Sequence, residues 1–281
     1  MRIALQAMPE LPEVETVRRG LAPRVVGRVF VDAVAHPSAK FQPALEAVGA
    51  EITALSRRGK YLRFELDDGR EMLGHLGMTG SFRVAADDEA PTLGLDAYGP
   101  HCRAAWCLDD GSSLIFRDTR RFGRLHVVAA GDYRAIPTLH TMGPEPFDEQ
   151  FTAASLHKAL ARSSRPVKTQ LLSQRPVAGV GNIYADEALF LSGIHPLATR
   201  IGRVRAERLV DAIQTVLAAG IANGGTTLRD YTNVDGGSGE NQHQLVAYGR
   251  SGEPCVRCGG TLRHQVIDAR TTTFCSTCQR R

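Results

Sequence analysis

The run Pro9-Glu10-Leu11-Pro12-Glu13-Val14-Glu15 holds the residues of this sequence best suited to covalent chemistry. Removal of the chain up to Met8 leaves the secondary amine of Pro9 as its first group. An α-amino group titrates near about 7.7–8.0 and an exposed lysine near about 10.4, so at neutral pH only the former is substantially unprotonated. Such an amine adds to a sugar aldehyde carbon and gives a charged iminium, an electron sink that eases the breaking of bonds beta to it. Glu10, beside it, is placed to shuttle protons. Met1 to Ala7 precede Met8, and while they remain Pro9 is a tertiary amide with no basic nitrogen. We expect this leader, 1–7, to reflect a start assigned upstream of Met8. The same stretch also reads as a helix entry. Pro12 suits the first helical position, Glu13 and Glu15 suit the positive end of the dipole, and Val14, Val17 and Leu21 recur at helical spacing to about Gly20.

A second constellation lies at the other end. Cys255-Val-Arg-Cys258 and Cys275-Ser-Thr-Cys278 are two C-x2-C pairs 16 residues apart. That is the spacing of a zinc ribbon held by four thiolates. A disulfide or redox pair is the competing reading, but the surrounding βαβ pattern of redox motifs is missing. Cys102 and Cys107 read as ordinary part-buried thiols. Of the 34 basic residues only Lys40, Lys60, Lys158 and Lys168 are lysines. Lys60 follows Arg57 and Arg58 and is either a phosphate-holding amine or a snorkelling surface lysine.

A chain of 281 residues with 43% hydrophobic content has room for a sizeable core and more than one domain. No apolar run approaches the roughly 20 residues of a membrane span, and the leader is too short for a signal peptide, so the expected location is the cytosol. The net charge of +4 permits a polyanionic partner without demanding one. The arginines cluster, at 18–19, 57–58, 117–124, 200–208 and 280–281, in groups that suit phosphates or solvated faces.

Around these residues the pattern changes twice along the chain. From Val25 to about Val128 it is strand-like, in segments at 28–34, 51–55, 61–66, 70–76, 81–85, 103–108, 112–117 and 124–128. Asp67-Asp68-Gly69 and Asp109-Asp110-Gly111 read as hairpin turns within it. An antiparallel sandwich or barrel follows. Met142-Gly143-Pro144-Glu145-Pro146 reads as a linker. Helical periodicity then covers segments near 150–162, 167–172, 183–191 and 204–222. Between the second and third, Val177-Ala178-Gly179-Val180-Gly181-Asn182 offers backbone N–H groups at a helix start, which suits either a phosphate grip or a plain corner. A polar, glycine-rich stretch at 224–242 reads as a mobile loop, and 263–274 as the hairpin between the cysteine knuckles, with Arg270 near its tip. The fold class is α+β: an N-terminal antiparallel β-sandwich with flanking helices over 8–143, a helical helix-two-turn-helix domain over 144–235, and a C-terminal zinc-ribbon β-hairpin over 236–281.

From Met8 to Arg281 the chain resembles the bacterial formamidopyrimidine-DNA glycosylases, in the broader group that includes endonuclease VIII. The resemblance is carried by 9–15, Arg58-Gly59-Lys60-Tyr61, His75-Leu76-Gly77-Met78-Thr79-Gly80, Arg120-Arg121-Phe122-Gly123, Gly179 to Glu187, Tyr248-Gly249-Arg250, and the ribbon with its approach Gly252-Glu253-Pro254.

What the resemblance implies is a bifunctional glycosylase and abasic-site lyase of base-excision repair, acting on double-stranded DNA that contains 8-oxoguanine, formamidopyrimidines or abasic sites. Pro9 would attack C1′, Glu10 would serve as general acid and base, and Lys60 would contact the phosphate beside the lesion. β- and δ-elimination would follow. The target base must leave the stack. Met78, Arg120 and Phe122 would fill the gap, although alone Met78 and Phe122 read as core. Asn182 and Arg270 would pinch the phosphates, and His101 and Arg229 complete the expected DNA contacts. One structural Zn2+ on Cys255, Cys258, Cys275 and Cys278, with no open position for water, and a monomeric protein are further expectations. The alternatives are an endonuclease VIII-like preference for oxidised pyrimidines, disfavoured by Leu11 and Arg120-Arg121-Phe122, and a non-catalytic lesion-binding protein that keeps its leader.

Overall fold

In the computed structural model, residues 8–86, 94–228 and 231–281 are described. The expectations for the leader and for Arg229 fall outside them. The chain opens with α1 (Leu11–Val25) and then eight strands: β1 (Phe30–Ala35), β2 (Ile52–Arg58), β3 (Tyr61–Leu66), β4 (Arg70–His75), β5 (Gly80–Ala85), β6 (Cys102–Leu108), β7 (Ser113–Asp118) and β8 (Arg124–Ala129). All pairings are antiparallel, in two four-stranded sheets ordered β1-β6-β7-β5 and β2-β3-β4-β8. The two Asp-Asp-Gly turns do join β3 to β4 and β6 to β7, with Gly69 at φ 80° and Gly111 at φ 88°, the left-handed region that the turn requires.

Alternation on the strands sends Phe30, Phe82, Trp106 and Phe116 of one sheet against Leu62, Phe64 and Met72 of the other, and all are buried. Phe64 and Phe82 meet across the interface with ring centroids 5.7 Å apart. The apolar face of α1, Val14, Val17, Leu21 and Val25, closes this core. The helix runs past the expected stop at Gly20. That glycine is a packing position, since a Cβ there would meet Val234 at 3.0 Å, and the helix also tolerates Pro23 in its last turns.

A short α2 (Pro137–His140) leads into the helical unit of α3 (Ala153–Leu160), α4 (Val167–Leu172), α5 (Asn182–Leu191) and α6 (Arg203–Ala222). Thr152 caps α3, accepting from Ser155 N at 3.1 Å. Leu11 belongs to the core of this unit, not to the sandwich, so α1 spans the junction between the two. The last unit is the hairpin β9 (Arg263–Ile267) and β10 (Arg270–Phe274), with Phe190 of α5 packed against Cys255, Leu262 and Cys275. No described helix is long and apolar enough to cross a membrane.

Candidate active site and nucleic-acid interface

The junction that α1 bridges is also where the chemistry-bearing residues converge. A cleft of about 430 Å3 is lined by Glu10, Lys60, Met78, Asn182 and Arg270, together with Met8. Three elements bring these groups together. Glu10 precedes α1, Lys60 sits in the two-residue turn from β2 to β3, and Asn182 opens α5. Gly59, at φ 56°, takes the first central position of that turn, as a type II′ hairpin demands.

Glu10 is buried and its carboxylate accepts from the backbone N–H of Gly181 at 2.6 Å and of Ile183 at 2.8 Å. It therefore occupies the positive end of α5, where an anion is favoured. Burial nevertheless holds it above the usual carboxylate range, and the Lys60 charge works against that rise. Lys60 is buried too, so the snorkelling reading is excluded. Burial lowers its affinity for a proton, Arg270 lowers it further, and Glu10 and Glu13 oppose the fall. An acid made weaker and a base made weaker face one another, so moving a proton in this cleft costs less than it would between the same groups in water. The approach needs Gly181. A Cβ there would lie 2.5 Å from Lys60 Nζ and run into the Glu10 carboxyl.

Pro9 is buried ahead of Glu10, with half-buried Met8 at the cleft. Around the rim, Phe122 is 47% exposed and Arg120 lies over its ring at 4.9 Å, which overturns the core reading of Phe122. Met78 is half-buried in the cleft wall. Asp118 joins the two loops, accepting from Thr79 Oγ1 at 2.5 Å and from the N–H of Gly123 at 2.7 Å. His101 is exposed with φ 75° just before β6, away from the cleft lining. Asn182 donates from Nδ2 to Thr271 O at 3.1 Å, while its buried Oδ1 has no hydrogen-bond partner among the described residues. Arg270 stands at a tight hairpin tip where Asp268 (φ 48°) and Ala269 (φ 60°) are both left-handed, a type I′ turn made without glycine.

Several residues that hold this arrangement escaped the sequence reading. Glu13, read only as a dipole partner, is buried and accepts from Tyr184 Oη at 2.9 Å and from the N–H of Thr226 at 2.7 Å and of Glu10 at 2.8 Å. Burial and the neighbouring Glu10 push it up to about 7. Asn241 Nδ2 donates to Thr226 Oγ1 at 2.9 Å, so the glycine-rich stretch is fixed at both feet. The segment 142–146, read as a linker, is clamped. Glu145 accepts from Arg57 Nη1 at 2.7 Å, Arg58 Nη1 at 3.0 Å and the N–H of Gly59 at 2.7 Å. Glu187 accepts from the N–H groups of Val246, Ala247 and Tyr248, at 3.0, 2.9 and 2.7 Å, and so carries the approach to the ribbon. The signal available was composition: acidic residues and Lys168 set within otherwise apolar helical runs.

The four cysteines place one sulfur each within 4.8 Å of the others. Cys255 and Cys278 Sγ are 3.9 Å apart and Cys258 and Cys275 Sγ 3.6 Å, near the roughly 3.8 Å edge that Zn–S bonds of about 2.3 Å give a tetrahedron. These separations are far too long for disulfides. The donor set fits one structural Zn2+, with all four positions taken by protein. Cys102 is buried and burial pushes its thiol up to about 11, which makes it inert at neutral pH.

Family models match most of the chain: the formamidopyrimidine-DNA glycosylase N-terminal domain over residues 8–125, its H2TH domain over 142–232, and the zinc finger found in FPG and IleRS over 252–281. The formamidopyrimidine-DNA glycosylase of Thermus thermophilus is 46% identical, covering 97% of this chain and 98% of its own. That of Deinococcus radiodurans is 43% identical, covering 97% of both. Among solved structures, MutM (Fpg) from Thermus thermophilus aligns with a TM-score of 0.87 at 45% identity, over 96% of this chain and 98% of that one. A complex of Lactococcus lactis Fpg with DNA containing an abasic site aligns with a TM-score of 0.84 at 35% identity, over 97% and 100%.

Proposed function

Because this chain belongs to the formamidopyrimidine-DNA glycosylase family, we propose that it excises oxidised purines, 8-oxoguanine and formamidopyrimidines, from duplex DNA and then cleaves the resulting abasic site. The observation that carries the reading is the buried Glu10–Lys60 pair beside Pro9, in a cleft shared with Asn182 and Arg270. Lactococcus lactis Fpg has been solved with DNA containing Fapy-dG and with DNA containing an abasic site, which supports the same substrates here.

The extruded nucleotide presents C1′ to the Pro9 nitrogen, which is nucleophilic when Pro9 is the first residue. The nitrogen forms a bond to C1′, the glycosidic bond breaks, and its electron pair leaves with the base, which takes up a proton. Glu10 carries the protons that open the sugar ring and leave an iminium between Pro9 and C1′. Loss of the C2′ proton into that electron sink expels the 3′ phosphate, and a second elimination expels the 5′ phosphate. Water then hydrolyses the imine and restores the amine. Lys60 and Arg270 hold the flanking phosphates, and Asn182, which gives one Nδ2 hydrogen to Thr271 O, turns the other to the same strand. Met78, Arg120 and Phe122 enter the space that the base leaves.

Borohydride trapping tests the reading. A chain that begins at Pro9 is expected to become covalently attached to a duplex containing 8-oxoguanine opposite cytosine, and not to its undamaged counterpart. The same chain with Met8 retained is expected to bind without attachment. Attachment by the Met8-retaining chain would show that the nucleophile is another amine. No attachment by the chain that begins at Pro9 would remove the lyase from the proposal. Intact mass of the protein from its native gene context establishes which form is made.

A further inference from the structure

A second hollow, of about 480 Å3, is walled by Arg162, Arg165 and Arg175. Several arginines elsewhere in the molecule are paired with carboxylates, as Arg57 and Arg58 are with Glu145 and Arg63 with Glu71. Among the described residues no ion pair or hydrogen bond engages the guanidinium of any of these three. The hydroxyls of Thr138, Ser163 and Ser173 line the same hollow, and no described carboxylate does. Like charges gathered around a concavity repel one another and lower the unfolding free energy, unless an anion occupies it.

The hollow is also built rather than incidental. Gln170 is buried and donates from Nε2 to Arg165 O at 2.8 Å, which fixes the segment that carries two of the arginines. Arg175 lies on the turn leading to Gly179 and Gly181, so its backbone is set by the same structure that receives Glu10. The two cavities are lined by residues that neighbour one another in the chain. Leu172 lines the catalytic cleft and Ser173 the hollow, while Thr138 Oγ1 lies 2.8 Å from the hydroxyl of Tyr61, the neighbour of Lys60.

We propose that this arginine-lined hollow binds backbone phosphodiesters of the duplex beyond the lesion, continuing the DNA path out of the catalytic cleft. The proposal rests on DNA being the substrate and adds residues outside the motifs that carry the family resemblance. Guanidinium forks match phosphate oxygens bidentately, and the Ser163 hydroxyl, which accepts from the Arg165 N–H, keeps its own hydrogen to donate, so the site positions the strand without reading sequence.

The test uses the zinc-loaded full chain and the variant Arg162→Ala/Arg165→Ala/Arg175→Ala, checked for unchanged zinc content and melting temperature. Binding is measured across salt concentrations with two lesion duplexes, each ending close to the lesion on one side and extended on the other. Each neutralised phosphate contributes about 0.9 to the slope of log K against log salt. The triple variant is expected to lose about two to three units of that slope and at least about tenfold in affinity on one of the two duplexes, which then binds no better than its shortened form. Equal slopes for wild type and variant on both duplexes would overturn the proposal. So would tripolyphosphate binding that the variant loses while duplex binding is unchanged, because the hollow would then serve a small anion. Borohydride trapping reads the amine and not the slope, so failure of one leaves the other standing.

Discussion

Lys168 Nζ and Asp186 Oδ1 lie 2.5 Å apart with both side chains buried, and the pair fastens α4 and α5 to the strand that begins at Arg270. Lys168 also donates to Thr272 Oγ1 at 2.8 Å, and the N–H of Thr273 donates to Asp186 Oδ2 at 2.8 Å. Burial lowers the lysine and raises the aspartate to about 7, so each charge depends on the other. Removing one partner strands a buried charge, at a cost of about 3–5 kcal/mol. Lys168→Met and Asp186→Asn are each expected to lower the unfolding free energy by that amount and to weaken lesion-DNA binding through Arg270. Lys168→Met/Asp186→Asn, which keeps an acceptor for the Thr273 N–H, is expected to recover most of the stability. A double variant as unstable as the sum of the singles would show that the two charges are not coupled.

Glu145 exerts a comparable hold on Lys60, through the turn that carries it. Its carboxylate ties down Arg57, Arg58 and the N–H of Gly59, and Arg58 Nη2 also donates to Gly143 O at 2.6 Å. Glu145→Gln weakens the charge-assisted bonds, each worth about 1.5–3 kcal/mol. A displaced Lys60 is expected to slow single-turnover excision at saturating DNA by on the order of 10- to 100-fold, because small misplacements of a positioned group are costly. Rapid-quench kinetics check this. A normal rate with weakened binding alone would assign Glu145 to DNA affinity and not to placement of the lysine.

The strands and the hairpin turns were legible because period-2 alternation and Asp-Asp-Gly turns are local signals, and the ribbon because cysteine spacing is local too. Pro9 and Glu10 lie in one short run, and the family motifs carried the rest of the cleft. The clamps were not legible. Glu13 meets Thr226, Glu145 meets Gly59, and Lys168 meets Asp186 across sequence separations that no periodicity encodes. Gly20 misled for the same reason: it reads as a helix stop, and only the tertiary approach of Val234 explains it. Phe122 is the opposite case. An aromatic residue exposed on a loop violates burial preference, and under the proposed function its reason is a DNA stack outside the protein.

The ribbon's dependence on metal separates cleanly from the sandwich. Trp106, the single tryptophan, is stacked near Phe30 and Phe82 in the sandwich core, far from the cysteine cluster. Chelation of zinc, or Cys255→Ser, is expected to unfold the hairpin and with it Arg270, lowering lesion-DNA affinity by at least about 100-fold. Trp106 emission is expected to stay at its buried wavelength throughout. A red shift that tracks zinc loss would show that the ribbon and the sandwich unfold as one unit.

Glu13 gives the protein a pH dependence of definite sign. Its carboxyl titrates at 4.5 when unperturbed and at about 7 in the folded chain, because it is buried beside Glu10. Between those values the folded state holds more protons than the unfolded one, so stability contributed by this group falls as pH rises from about 4.5 to about 7. Glu13→Gln cannot titrate, yet it keeps an acceptor for Thr226 and Tyr184. The unfolding free energy of the parent minus that of Glu13→Gln, measured by denaturant titration, is therefore expected to decline across this window by on the order of 1–3 kcal/mol. Asp186 titrates in both proteins and drops out of the difference. A difference that stays flat with pH would mean that Glu13 is ionised throughout, with the donors from Glu10, Tyr184 and Thr226 outweighing burial. The foot of the glycine-rich stretch at Thr226 would then rest on a fixed charge instead of a proton.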